Sequence, residues 1–333
     1  MLGVILAGGK GKRLRPLTEK TPKPLLEIKE NYTILDKQLL QFKYAGINEV
    51  YLLVGHLHEK IMRRYGEEWQ GIKINYLVEK EPLGTAGALK NLFEEIDETC
   101  IVRNGDVVTD VNLKEMIAKH GKAMTMFVTK LRSPYGICEI QGNKIIGFKE
   151  KPLLDYYINA GIYIISPEIF DYFKKYEKGD VEKLVFPKLA REGLIYYYYE
   201  NCYWRSIDSV KDLEEVRNEF KNRIDKPWGY ERIICLTEKY LTKELYIMKD
   251  FSTSLHYHEQ KDETLHCQKG ECLVEIENNG RMRREMLKEN DTLRIKPKVK
   301  HRIVALENSV LLEYSTPHPV DTVRVEEYYG RDS

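Results

Sequence analysis

Ala7 to Arg13 reads AGGKGKR, which sets Gly8, Gly9 and Gly11 among the cations Lys10, Lys12 and Arg13, with Arg15 just behind. Glycines let a backbone turn tightly enough to aim amide hydrogens at phosphate oxygens, and the cations neutralise what is held there. The order is not that of a Walker A loop. The rival reading is the glycine turn of a dinucleotide domain, but cations packed in and behind the turn suit a triphosphate better. Lys23 stands between Pro22 and Pro24, so a stiff segment presents its amine. It would stabilise a triphosphate or departing pyrophosphate; its other reading is one more solvated lysine.

A second constellation lies far along the chain. His256 and His258 are two apart on a predicted strand and so share a face, Glu263 follows, and His301 comes from a later strand behind Pro297. Three imidazoles and a carboxylate form a donor set for a divalent zinc, manganese, iron, nickel or cobalt ion. Polar packing or anion binding would use the same residues without a metal.

The elements that must position these groups fall into two styles. Apolar Leu2 to Leu6 predicts a buried strand leading into the glycine loop; Lys37 to Tyr44 a helix; Glu49 to Val54 a strand; His58 to Tyr65 a helix; Ile72 to Val78 a strand. Thr85 to Phe93 as a helix, Cys100 to Arg103 as a strand ending in Asn104-Gly105-Asp106, and Leu113 to His120 as a helix continue the alternation, which argues for a mostly parallel, Rossmann-like α/β sheet covered by helices. Ligands gather at the carboxyl ends of such strands, where Asp106 would sit. Gly161 to Ile165 and the tyrosine-rich Ile195 to Tyr199 are further predicted strands, and Asp212 to Arg223 a helix. After Ile224 the pattern changes, so the expected domains are 1–225 and 226–333, the second a small all-β sandwich or barrel of short strands from Lys243 onward.

The 333 residues suffice for two domains. With 53 Lys and Arg against 52 Asp and Glu, no broad polyanion-binding surface is expected, and nucleic acid is not an expected partner. The six cysteines show no close Cys-x-x-Cys pair, and no apolar run approaches the length of a membrane span or a secretory leader. The expectation is a cytoplasmic protein without a membrane partner, and a homodimer fits both predicted folds.

The stretch Leu6 to Leu25 (LAGGKGKRLRPLTEKTPKPL) resembles the opening signature of the sugar-1-phosphate nucleotidyltransferases, and the likeness continues in Glu81 to Leu89 (EPLGTAGAL), Asn104-Gly105-Asp106, Phe148 to Pro152 (FKEKP) and Asn159 to Tyr163 (NAGIY). The resemblance implies an enzyme making a nucleotide-diphosphate sugar and pyrophosphate from a nucleoside triphosphate and a sugar 1-phosphate, with Mg2+. It implies that Leu6, Gly8, Gly9 and Gly11 cradle the nucleotide with Arg13, that Lys23 binds phosphate, and that Gly84, Thr85 and Gly87 meet the base and ribose. Asp106 matches the magnesium-binding aspartate. Glu150 and Lys151 resemble the pair near the sugar and its phosphate, with Asn159 and Gly161 on the next sugar-binding strand; without the motif these would read as a surface ion pair and a turn. In place of the Asp-Ile-Gly-Thr-Pro of many relatives, Trp204 to Leu213 reads WRSIDSVKDL, like the Met-Asp-Thr version of the cytidylyltransferase branch, and Asp208 is the second metal ligand by that match or the cap of the next helix. The opening signature is closer to guanylyl, thymidylyl and uridylyl enzymes, so the base stays open.

His256-x-His258-x4-Glu263-x6-Gly270 followed by Pro297-x3-His301 resembles the two metal motifs of the cupins, with Asn290 and Val299 where glycines are usual. With Lys226-Pro227-Trp228-Gly229 and Asp321 to Arg331, it resembles the C-terminal domain of type II mannose-6-phosphate isomerases, some fused behind a mannose-1-phosphate guanylyltransferase. That implies a metal-assisted aldose to ketose interconversion with Arg324 or Arg331 near the sugar phosphate, although Lys261 replaces the relatives' arginine; alternatively these arginines fasten the C-terminus. The neighbouring domain favours GTP with mannose 1-phosphate. The alternatives are a bifunctional transferase and isomerase, a cytidylyltransferase acting on another phosphorylated acceptor, and a noncatalytic sugar-phosphate sensor.

Overall fold

The computed structural model describes residues 1–278 and 280–326. They form two compact units, Met1–Arg217 and Asn218–Ser333. The first is built on an eight-stranded sheet in the order Ile195–Tyr199, Met124–Arg132, Leu153–Ile165, Cys100–Asn104, Leu2–Ala7, Glu49–Val54, Ile72–Val78 and Glu68–Trp69. Its centre is parallel: Leu2–Ala7 pairs in parallel with both Glu49–Val54 and Cys100–Asn104, and Glu49–Val54 with Ile72–Val78. Leu153–Ile165 runs antiparallel to both neighbours. The sheet is therefore mixed, with a Rossmann-like parallel core.

Strand Leu2–Ala7 is apolar along its whole length because both of its faces are covered. Ile5, Leu52 and Ile101 point to one core with Leu39 and Phe42 of the helix Ile34–Tyr44, while Val4, Leu53 and Val102 point to another with Leu89 and Phe93 of Gly84–Glu95. Each such fully buried aliphatic side chain contributes roughly 1.5–3 kcal/mol, so the sheet centre is the rigid platform for whatever lies at its ends.

Two predicted elements differ from those observed. The helix expected to reach Arg223 is Val210–Glu219, and Arg223–Lys226 is a strand. There Arg223 is buried, stacks between the rings of Phe220 and Tyr230 and pairs with Asp225 at 2.7 Å, which a continued helix would not permit. The strand expected at Gly161 begins at Leu153; its first half is exposed and lacks the apolar run that would announce it.

From Arg223 onward every described regular element is a strand. These strands form a six-stranded and a five-stranded antiparallel sheet. Leu245, Leu265 and Leu311 of the first sheet meet Val274, Leu287 and Ile303 of the second in one core. Gly229–Leu236 and Thr322–Glu326 are strands that the sequence pattern did not announce. Among the described residues no helix is long and apolar enough to cross a membrane.

Candidate functional sites: an acid and lysine crevice and a histidine cluster

The chain leaves the parallel strands Leu2–Ala7 and Cys100–Asn104 side by side, at the point where the sheet order reverses, and the crevice between them opens into a cavity of about 420 Å3. Leu6, Gly8, Gly9, Gly11, Arg13, Lys23, Gly84, Thr85, Asp106 and Asp208 all line it. Gly11 adopts φ +56°, and a side chain there would come within 2.9 Å of Thr18, whose hydroxyl donates to the Gly11 carbonyl at 2.8 Å. Left-handed backbone and close approach together require glycine. Gly84 opens its helix at φ +71°, where a Cβ would stand 2.4 Å from the Gly179 carbonyl.

The turn after Cys100–Asn104 is held at several backbone groups. Gly105 donates to the Leu6 carbonyl at 3.0 Å, and a Cβ on Gly105 would be 2.5 Å from that oxygen. Gln38 Nε2 donates to the carbonyls of Asn104 and Val107 at 3.0 and 2.9 Å. Strand Val107–Thr109 pairs antiparallel with Trp204–Ser206, and Ile207 donates to the Asp106 carbonyl at 3.0 Å. That pairing brings Asp208 beside Asp106 across a hundred residues of chain.

Four charged groups meet there. Lys23 Nζ lies 2.7 Å from Asp106 Oδ2 and 3.4 Å from Asp208 Oδ1, and Arg13 Nη2 lies 2.7 Å from the same Asp208 oxygen. Asp208 is not the cap of the following helix: Ser209 and Asp212 exchange those bonds, the Asp212 carboxylate accepting from the amides of Asp208 and Ser209. Two carboxylates converging on one cation are hard oxygen donors of the kind that hold Mg2+ when substrate phosphates complete its shell.

Other expected residues lie elsewhere. Gly87 is buried in its helix, where a Cβ would meet the Glu177 carbonyl at 2.3 Å, so it serves close packing and does not line the cavity. Glu150 and Lys151 are exposed and 3.7 Å from each other. Asn159 Oδ1 accepts from the Gly161 amide, and a Cβ on Gly161 would stand 2.9 Å from the Asn104 amide nitrogen, which puts this bulge against the Asn104 turn. Tyr198 is buried and donates to Glu115 and Glu200, while Tyr197 is exposed. Glu79 was not singled out from the sequence, yet it lines the cavity, its carboxyl 3.2 Å from where a Gly8 side chain would begin. Burial raises that carboxyl above its ordinary range, only partly opposed by the Leu83 amide at 3.3 Å.

In the second unit the ligand atoms of His256, His258 and His301 lie within 4.8 Å of one another. Each Nδ1 meets an acceptor: the Ser254 carbonyl at 2.8 Å, Asp321 Oδ1 at 3.1 Å and the Val299 carbonyl at 3.0 Å. These acceptors make each Nδ1 the donor, which leaves the Nε2 of His256 and of His258 as lone pairs, whereas His301 Nε2 faces the Glu263 carboxylate. His258 Nε2 is buried with no hydrogen-bond partner, the atom a metal ion would satisfy. Glu263 faces the same space, 2.9 Å from His301 Nε2 and 3.5 Å from His258 Nε2, but Lys261 holds it at 2.8 Å. Arg324 lines the adjoining cavity of about 320 Å3; Arg331 lies outside the described residues.

Burial, then the neighbouring His301, holds His256 down to about 3; burial, then Lys261, holds His258 down to about 4. Both values lie below the ordinary value near 6.5. As pH falls, the unfolded chain takes up these protons first, so stability that is full above about pH 6.5 is lost progressively toward about pH 4. Each imidazole should cost the second unit about 1.4 kcal/mol per pH unit in that window. Denaturant titrations across it should show this decline, with added Zn2+ raising stability most at the upper end of the window, where the rings are free to bind it; a stability independent of pH there would contradict a buried, neutral His256 and His258.

Residues 2–223 match the family model described as nucleotidyl transferase. The chain is similar to the mannose-1-phosphate guanylyltransferase catalytic subunit beta of Xenopus tropicalis, 37% identical over 227 residues that cover 64% of this chain and 62% of that protein. It is 32% identical over 231 residues to the D-glycero-alpha-D-manno-heptose 1-phosphate guanylyltransferase of Aneurinibacillus thermoaerophilus, covering 67% of this chain and 100% of that protein. Among solved structures, HddC from Yersinia pseudotuberculosis complexed with GMP-PN aligns with a TM-score of 0.53 at 25% identity, over 66% of this chain and 99% of that one. The chain thus spans less than two thirds of the length of the Xenopus tropicalis relative.

Proposed function

This chain belongs to the nucleotidyl transferase family, and from that premise we propose that residues 1–225 join GTP to mannose 1-phosphate, releasing pyrophosphate and forming GDP-mannose. The observation that carries the reading is the convergence of Arg13, Lys23, Asp106 and Asp208 on the cavity that the glycine loop also lines.

The chemistry follows from charge. A sugar 1-phosphate carries its own nucleophilic oxygen, with a second ionisation near pH 6, so no strong general base is required. That oxygen forms a bond to the nucleotide α-phosphorus as the bond to the β-phosphate oxygen breaks, and pyrophosphate departs in line. Asp106 and Asp208 would hold Mg2+, which when bound supplies charge neutralisation at the α-phosphate. Lys23 and Arg13 align the triphosphate and offset the charge that collects on the leaving group. Glu150, Lys151, Asn159 and Gly161 are assigned to the sugar side by family resemblance.

Glu79 supports guanine as the base. A carboxylate accepts two parallel hydrogen bonds from the N1–H and N2–H2 edge of guanine, whereas uracil and thymine offer one N–H flanked by carbonyls. Glu79→Gln should lower kcat/KM for GTP roughly 100-fold and that for UTP much less; an unchanged GTP preference would remove Glu79 from base recognition. Likeness to a heptose enzyme over that protein's whole length favours a second acceptor, a manno-heptose 1-phosphate. Pyrophosphate release should be screened with Mg2+, crossing GTP, CTP, UTP and dTTP with mannose, glucose and manno-heptose 1-phosphates. Release with GTP and mannose 1-phosphate is expected. Release only with the heptose would change the acceptor, and binding without release from any pair would favour a sensor.

For residues 226–333 the reading is a cupin barrel in which His256, His258 and His301, with Glu263 alongside, hold a divalent transition metal. The inward Nε2 atoms and the orphaned His258 nitrogen support it. Sugar-phosphate isomerisation in the cavity that Arg324 lines is the activity this site would add.

A further inference from the structure

Arg103 follows the apolar run Cys100-Ile101-Val102 in the strand Cys100–Asn104 and is fully buried, at 0% exposure. Nη1 donates to Gln41 Oε1 at 3.1 Å, Nη2 to the Val107 carbonyl at 3.4 Å, and the guanidinium stands 5.7 Å from the Phe42 ring centre. Nε has no hydrogen-bond partner, and neither does the buried Oε1 of Gln38, which holds the same turn. Burial alone pushes the guanidinium down to about 9, with no carboxylate acting against it.

A buried cation without an anionic partner costs several kcal/mol, and an apolar residue would fill a strand position between Val102 and Asn104 without that cost. What distinguishes the position is what stands above it. Val107, the carbonyl that Arg103 grips, closes the turn carrying Asp106, and a nucleoside triphosphate with one divalent ion keeps a net negative charge. In a low-dielectric interior a fixed cation beneath such a ligand acts at longer range than one in water.

We propose that Arg103 is a positioning residue for the Asp106 turn and a buried countercharge for the nucleotide site, costing stability in the empty protein and returning it when the anionic nucleotide binds. The proposal rests on the nucleotidyl-transfer reading above. Helix residues Gln38 and Gln41 are part of the device, because they anchor the turn and the guanidinium from the opposite side.

Arg103→Met keeps length and apolar volume while removing the charge and the bond to Val107. The full chain is used in two measurements: denaturant unfolding without ligand, and calorimetric binding of GTP with Mg2+ and no acceptor. The variant should be as stable as the wild type or more so, yet bind the nucleotide about tenfold more weakly, and Arg103→Lys should fall between. Unchanged affinity in Arg103→Met overturns the proposal. So does an Arg103→Met chain that is less stable or does not fold, because Arg103 would then be a structural necessity. A wild-type protein that binds no nucleoside triphosphate would instead defeat the transferase reading itself.

Discussion

Asp106→Asn is expected to lower turnover about a thousandfold while shifting the melting temperature by no more than about 3 °C. The substitution preserves shape and removes charge. Asp106 is 30% exposed and pairs with Lys23 at 2.7 Å, a contact of the class worth at most about 1 kcal/mol. Its backbone is held independently by Leu6, Gln38 and Ile207, so the turn should survive the loss. In the reaction the same carboxylate is one of two that would hold Mg2+, and an amide oxygen is a poor substitute. Turnover and melting should therefore separate sharply. A variant that keeps its rate within tenfold would remove Asp106 from the chemistry.

The largest stability effect should come from Lys261→Met in the second unit. Lys261 is buried, with Nζ 2.8 Å from Glu263 and 2.9 Å from Glu313, both themselves buried. Removing the cation strands two carboxylates together in a low-dielectric interior, and breaking such a pair costs about 3–5 kcal/mol. Burial raises the Glu263 carboxyl, but His301 and Lys261 more than offset this and hold it below its ordinary range. Without Lys261, Glu263 should take up a proton at higher pH. Unfolding of the second unit followed by denaturant should show the loss, with pyrophosphate release by the first unit unchanged. A loss under about 1 kcal/mol would mean that the lysine is not the counterion these acids depend on.

What was legible in the sequence depended on how local the cause was. Gly8, Gly9, Gly11 and Lys23 announce themselves because a tight turn and two prolines are written in adjacent letters, and the central strands are continuous apolar runs. His256 and His258 declare a shared face by their spacing alone. Asp208 needed family resemblance, because only the pairing of Val107–Thr109 with Trp204–Ser206 carries it to Asp106. Glu79 gave no signal: it sits in the charged run Glu79-Lys80-Glu81, and only the close approach of Gly8 makes it a cavity residue. Gly87 has a packing reason to be glycine that the sequence does not display, the nearby Glu177 backbone. Strand Gly229–Leu236 escaped because its side chains are mostly half-buried and do not alternate. Arg103 did carry a signal, a lone cation following an apolar run, whose meaning needed the turn above it.

Nucleotidyl transfer is the proposed work of the crevice formed by Arg13, Lys23, Asp106 and Asp208. The most direct test incubates the full chain with GTP, mannose 1-phosphate and Mg2+ while pyrophosphate and the product mass are followed together. Equal amounts of pyrophosphate and GDP-mannose are expected, both abolished by chelating the metal. GTP consumed to GDP and phosphate with no sugar nucleotide, by folded protein with Mg2+ present, would contradict nucleotidyl transfer.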